Sequence, residues 1–79
     1  MKKNKFESML MLIVPEVVKL ILEKYKWDEI IASEEFYNSK VYEKLEDEET
    51  KLWHLSPLTL FNMFNEEQQT GDFSYPEEA

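Results

Sequence analysis

The sequence predicts an all-α fold, a compact bundle of four to five short helices around a long N-terminal helix. Three observations carry that expectation. One Gly and three Pro in 79 residues leave little to break the chain, which favours helices joined by short turns. Apolar residues recur at three- and four-residue intervals through most of the first 26 positions, which is helical periodicity. No stretch alternates apolar and polar residues for long enough to build a sheet. A chain of this length holds one domain. We place it at residues 1–71, followed by a short acidic tail, 72–79, extended or disordered. No internal repeat or low-complexity linker divides the sequence.

Residues 4–26 read as the long helix. Phe6, Met9, Leu10, Ile13, Val17, Leu20 and Ile21 form one apolar stripe. Met11, Val14, Val18, Leu22 and Tyr25 form a second beside it, so the apolar arc is wider than a surface helix needs. Such a helix is either central to its domain or shared with another chain. Pro15 lacks a backbone donor and crowds the carbonyl one turn back, so it kinks this helix or opens a second one. Asp28 suits an N-cap, with Glu29 favourable in the first turn. The next helix then runs to about Asn38 and buries Ile30, Ile31, Phe36 and Tyr37. Ser39 caps a third, with Val41, Tyr42 and Leu45 inward.

The adjacent acids Glu46, Asp47, Glu48 and Glu49 repel one another and leave two readings. Either they mark a turn in which Asp47 caps a short helix carrying Leu52, Trp53 and Leu55, or one helix continues from Ser39 to Trp53. The next boundary has stronger signals. Ser56–Pro57 is an N-cap followed by a first-turn Pro. Leu58, Leu60, Phe61 and Phe64 supply the buried face of the last helix. Gly71, the only Gly, sits where a helix C-terminus takes a left-handed residue.

Composition excludes several functions. Without Cys there is no disulfide, thiolate metal site or cysteine nucleophile. Seventeen acids face nine bases, all of them Lys, for a net charge of −8. Arg is the usual bidentate reader of phosphate and guanine, so an acidic chain without it is not expected to bind nucleic acid. The charge is uneven: residues 1–26 carry six Lys against three acids, residues 27–51 three Lys against nine acids, and nothing basic follows Lys51. The basic end can therefore meet the acidic end of another copy or of the same chain. The uninterrupted apolar run Met9–Val14 is too short to span a bilayer, and no cleavage-site pattern follows it. A cytoplasmic protein with no membrane association is expected. One Gly cannot make a phosphate-binding loop.

Candidate sites are few. His54 is the only His, and neither a familiar zinc site nor a general base with its orienting partner can be assembled around it from sequence. The Glu46–Glu49 run has neither the alternating ligands nor the Gly of a calcium loop. No metal, cofactor or catalytic activity is expected. Adjacent acids such as Glu34 with Glu35 point apart on a helix and cannot form a paired-carboxylate site. The aromatic residues Trp53, Phe73 and Tyr75 are candidates for partner binding, since aromatic side chains dominate interface hot spots.

The residues Phe36–Tyr37–Asn38–Ser39, Tyr42, Leu45, Asp47, Lys51 to Ser56, Leu60, Gly71 and Tyr75–Pro76–Glu77 carry a resemblance. Over roughly residues 36–78 the chain resembles a group of small helical proteins of low-GC Gram-positive bacteria that have no assigned activity. The resemblance implies a bacterial helical protein and an antitoxin- or immunity-type binding role. It carries over no functional residue.

The functional expectation is a small non-catalytic protein-interaction module, a homodimer formed through Met11, Val14, Val18, Leu22 and Tyr25. The alternative is an acidic binder of a basic partner, antitoxin-like or a DNA mimic, using Glu46, Asp47, Glu48, Glu49, Trp53, His54, Phe73 and Tyr75. A third is a small enzyme or metal protein centred on His54.

Overall fold

The computed structural model describes residues 5–73. Among them every regular element is helical: α1 (Lys5–Tyr25), α2 (Glu29–Tyr37), α3 (Lys40–Leu45) and α4 (Pro57–Thr70). Two single 3-10 turns, Glu48–Thr50 and Leu52–His54, join α3 to α4. The expectations for Tyr75 and for the tail beyond Phe73 lie outside the described residues.

α1 is one continuous helix with Pro15 inside it, so Pro15 does not open a second one. Its wide apolar arc has a reason within the single chain: α2, α4 and the Leu52–His54 turn all pack against it. Ile13, Val17, Val18 and Ile21 are buried, and Phe6, Leu10, Val14, Leu22 and Tyr25 pack half-buried around them. This corrects the reading of Val18 as part of a stripe open to another chain. It is only 6% exposed, because α2 folds back along α1 and covers that line. α1 stops where Lys26 takes a left-handed backbone, φ 61°.

α2 begins as its cap predicts, with the Ile31 N–H donating to Asp28 Oδ1 at 2.8 Å. Its inward line, however, is Ala32 and Phe36, one turn apart on one face. Ile30, Ile31 and Tyr37, expected inside, are 70%, 44% and 49% exposed. Ile30 and Tyr37 are two turns apart and share a different face.

Ser39 links α2 to α3. Its hydroxyl accepts from the Tyr42 N–H at 3.1 Å and donates to the Phe36 carbonyl at 2.6 Å. A second cap reaches in from α4. The Glu67 carboxylate accepts from the N–H groups of Lys40, at 2.8 Å, and Val41, at 3.2 Å. The Lys40 ammonium donates to the Gly71 carbonyl at 2.8 Å. Two of the open N–H groups of α3 are therefore satisfied by a residue 26 to 27 positions later. Glu67→Ala is expected to cost about 2 kcal/mol, the range for hydrogen bonds to a charged group at a helix N-terminus. Glu67→Gln should cost about half as much, because it keeps an acceptor. A fall in urea midpoint at constant m-value checks both.

No helix continues from Ser39 to Trp53. Asp47 does act as a cap, its Oδ1 accepting from the Glu49 N–H at 3.1 Å, but the turn it starts is short. Lys51, at φ 63°, ends that turn and begins the next, which carries the buried Leu52 and Trp53. α4 starts at Ser56–Pro57 as expected, with the Thr59 N–H donating to Ser56 Oγ at 3.2 Å. Leu60, Met63 and Phe64 are buried. Leu58 is 58% exposed, since it lies about 200° around the helix from Leu60. Gly71, at φ 88°, closes the helix with its N–H donating to the Glu67 carbonyl.

The centre of the core is aromatic and aliphatic: Phe36, Phe64, Ile21, Leu45, Leu60, Val17 and Val41 are its largest fully buried side chains. The Phe36 and Phe64 rings meet edge-on at 6.1 Å, which joins α2 to α4 beside α1.

Candidate functional site

The packing of α2 along α1 leaves an open groove between them. Its larger recess, about 510 Å³, is lined by Val14, Pro15, Val18 and Leu22 of α1 and by Ser33 and Tyr37 of α2, with Glu16, Lys19 and Glu29 at its rim. A smaller recess of about 290 Å³ continues it toward the start of α1, between Leu10, Met11, Val14 and Pro15 and the rings of Tyr37 and Tyr42. Val14, Pro15 and Tyr37 line both recesses, so the two form one trough. Ile30 shares the outer face of α2 with Tyr37 by its spacing, and Met11 is 59% exposed. The smaller recess has mainly apolar walls and the larger one a mixed polar and apolar lining, and exposed apolar shoulders of this kind suit contact with another macromolecule.

Its wall is held in place from behind. The Tyr37 ring meets Tyr42 edge-on at 4.9 Å, and Tyr42 meets Phe36 at 5.5 Å. Burial, with lesser contributions from the charge of Glu46 and from Tyr37, pushes the Tyr42 hydroxyl above its ordinary pKa. Burial also raises that of Tyr25, whose hydroxyl donates to Asn65 Oδ1 and whose ring stacks on Trp27 at 4.6 Å. A tyrosine whose folded pKa is raised stays neutral after its unfolded counterpart has ionised. The unfolded chain then holds fewer protons, and stability falls as pH rises from about 10 through the folded value. Unfolding curves collected from neutral to strongly alkaline pH should show this loss, and Tyr42→Phe should make it shallower.

The residues singled out from sequence divide between two places. Met11, Val14, Val18 and Leu22 all line the trough, with Val18 as its floor. Tyr25 does not line it and instead anchors α1 to α4 through Asn65. Glu46, Asp47, Glu48 and Glu49 are exposed together on the corner between α3 and the 3-10 turns. Trp53 is not available to a partner, which corrects the sequence reading. It is 6% exposed, its ring meets Phe6 edge-on at 5.5 Å, and its Nε1–H donates to the Glu48 carbonyl at 2.9 Å. The indole thus pins the acidic corner to the core. His54 is exposed, its ring 4.0 Å from that of Trp53. Phe73 packs half-buried against the core. Among the described residues no three His, Asp or Glu side chains gather where they could hold a metal ion, and no helix is long and apolar enough to cross a membrane.

Ser33, not singled out from sequence, and Ile30 and Tyr37, expected there in the core, contribute to the trough or its shoulder. Their one sequence signal is spacing: positions 30, 33 and 37 fall on one helix face. No protein-family model matches this chain, and neither the curated proteins nor the solved structures contain a match to it.

Proposed function

We propose that this protein is a small interaction module, without catalysis of its own, that associates as a homodimer through the trough between α1 and α2. The observation that supports this reading is the smaller recess of the trough, a mainly apolar surface open to solvent, with exposed Met11 and Tyr37 at its edges. The ionisable groups at the larger recess are Glu16, Lys19, Glu29 and Tyr37, and no His or Cys is among them to serve as base or nucleophile. The trough is therefore read as a binding surface. The test uses residues that fold independently of the interface. Met11→Glu and Tyr37→Glu, both at exposed positions, should leave the thermal midpoint within a few degrees. They should also weaken self-association at least about tenfold, the effect of roughly 1.4 kcal/mol. Unchanged association in both variants overturns this reading.

A second reading is supported by the acidic corner, whose four exposed acids stand on a backbone fixed by the Asp47 cap and the Trp53–Glu48 hydrogen bond. It assigns the chain a basic protein partner, in the manner of an antitoxin. Capture of such a partner should weaken steeply with salt and fall when Glu46, Glu48 and Glu49 become Gln. Capture that is insensitive to salt counts against it.

A further inference from the structure

We infer that Met11 is a site of reversible oxidative modification, its thioether taking an oxygen atom from a peroxide to become methionine sulfoxide. The site stands apart from whatever the trough binds. The chain has four Met and no Cys, so thioethers are its only sulfur. Met1 lies outside the described residues, and the fold gives the other three different environments. Met11 is 59% exposed. Met9 is half-buried against the core. Met63 is 4% exposed, in the core with Leu60 and Phe64. Met9 and Met11 are two positions apart, hence about 200° around the helix, so the fold turns one toward the core and the other toward solvent. Susceptibility to oxidation follows exposure, and a group as deep as Met63 is reached only when the chain opens.

The step needs no catalytic group. A sulfur lone pair attacks one peroxide oxygen, and the S–O bond forms as the O–O bond breaks. Sulfur loses two electrons. The second oxygen takes them and leaves as water, or as an alcohol from an organic hydroperoxide. The proton of the transferred oxygen passes through solvent water to the leaving one. The thioether has no proton of its own to give up, so no base is required.

The local change is one of polarity. Met11 shares the smaller recess with Leu10, Val14 and the rings of Tyr37 and Tyr42. A sulfoxide is polar where the thioether was apolar, so the recess loses apolar character at its edge. Because the position is exposed, water can solvate the new oxygen and the fold is kept. A sulfoxide reductase can reverse the change. An oxygen on Met63 has no such access to water and would disturb the packing of α4.

The test treats the folded chain with hydrogen peroxide at neutral pH and maps the product over time by tandem mass spectrometry, which separates Met9 from Met11 within one peptide. Of the three residues, Met11 should take the first oxygen and react at least about tenfold faster than Met63. Met9 should fall between them. In strong denaturant the three rates should converge. Met11→Leu should lose the fast phase while the thermal midpoint stays within a few degrees. A methionine sulfoxide reductase should remove the oxygen from Met11 in the folded chain. Met9 or Met63 reacting as fast as Met11 in the folded chain overturns the inference. So does the same order and spread of rates in denaturant, which would trace the preference to neighbouring sequence rather than to exposure. A Met11 sulfoxide that the reductase leaves in place overturns its reversibility.

Discussion

Phe36→Ala should leave the chain close to unfolded. Phe36 is fully buried and touches the rings of Phe64 at 6.1 Å, Tyr42 at 5.5 Å and Tyr37 at 6.3 Å. It therefore ties α2 to α3 and α4. Truncating a buried Phe costs about 3–5 kcal/mol, as lost transfer energy plus an unfilled cavity. A 79-residue domain has a total stability of about 4–12 kcal/mol at the usual 0.05–0.15 kcal/mol per residue. The substitution thus removes much or all of it. With an m-value of about 1–1.5 kcal/mol per molar, the urea midpoint should fall by roughly 2–5 M. The Tyr37 wall of the trough should loosen in the same variant, since Tyr42 loses the ring it rests on. A midpoint shift under about 0.5 M would mean that Phe36 is not at the centre of the core.

Val18→Glu should have an effect of similar size for a different reason. It places a carboxylate at a position only 6% exposed, among Val17, Ile21 and the half-buried Val14 and Leu22. An unpaired charge there costs several kcal/mol, or forces the group to stay protonated. Loss of cooperative melting and of near-ultraviolet circular dichroism is expected. Leu12→Glu, at a position 67% exposed on the same helix, is the matched control and should change stability by less than about 0.5 kcal/mol. The pair separates two roles that the width of the apolar arc leaves entangled: residues that hold one chain together and residues available to a second. Equal tolerance of both substitutions would contradict the placement of α2 along α1.

Helix starts were legible in the sequence because their signals are local. Asp28, Ser39, Asp47 and Ser56 each cap the element that follows. Each does so through a short side chain accepting a backbone N–H two or three residues on. The end at Gly71 was legible because a left-handed residue is most readily Gly. The breaks at Lys26 and Lys51 use the same backbone conformation with a residue that gives no hint of it. Whether residues 39–53 form one helix or break at the acids therefore remained open from sequence.

The inward faces of α2 and α4 were partly misread for a related reason. Ile30, Ile31, Tyr37 and Leu58 are apolar, but which face of a helix turns inward depends on where its neighbours lie. Ala32, small and easily overlooked, marks the buried face of α2. The trough was half legible. Its α1 wall follows from the second apolar stripe, whereas its α2 wall exists only once α2 has folded back onto α1. The Glu67 cap on α3 joins residues too distant in sequence for spacing to suggest it.

The most direct test of self-association through the trough is the solution mass by light scattering, from about 1 mM to about 1 μM chain, a range spanning moderate to weak affinities. The unmodified chain should pass on dilution from near twice 9.6 kDa toward 9.6 kDa, while Met11→Glu should make the same passage at concentrations at least about tenfold higher. A mass of 9.6 kDa for the unmodified chain at every concentration would contradict the account and leave the trough to a different protein.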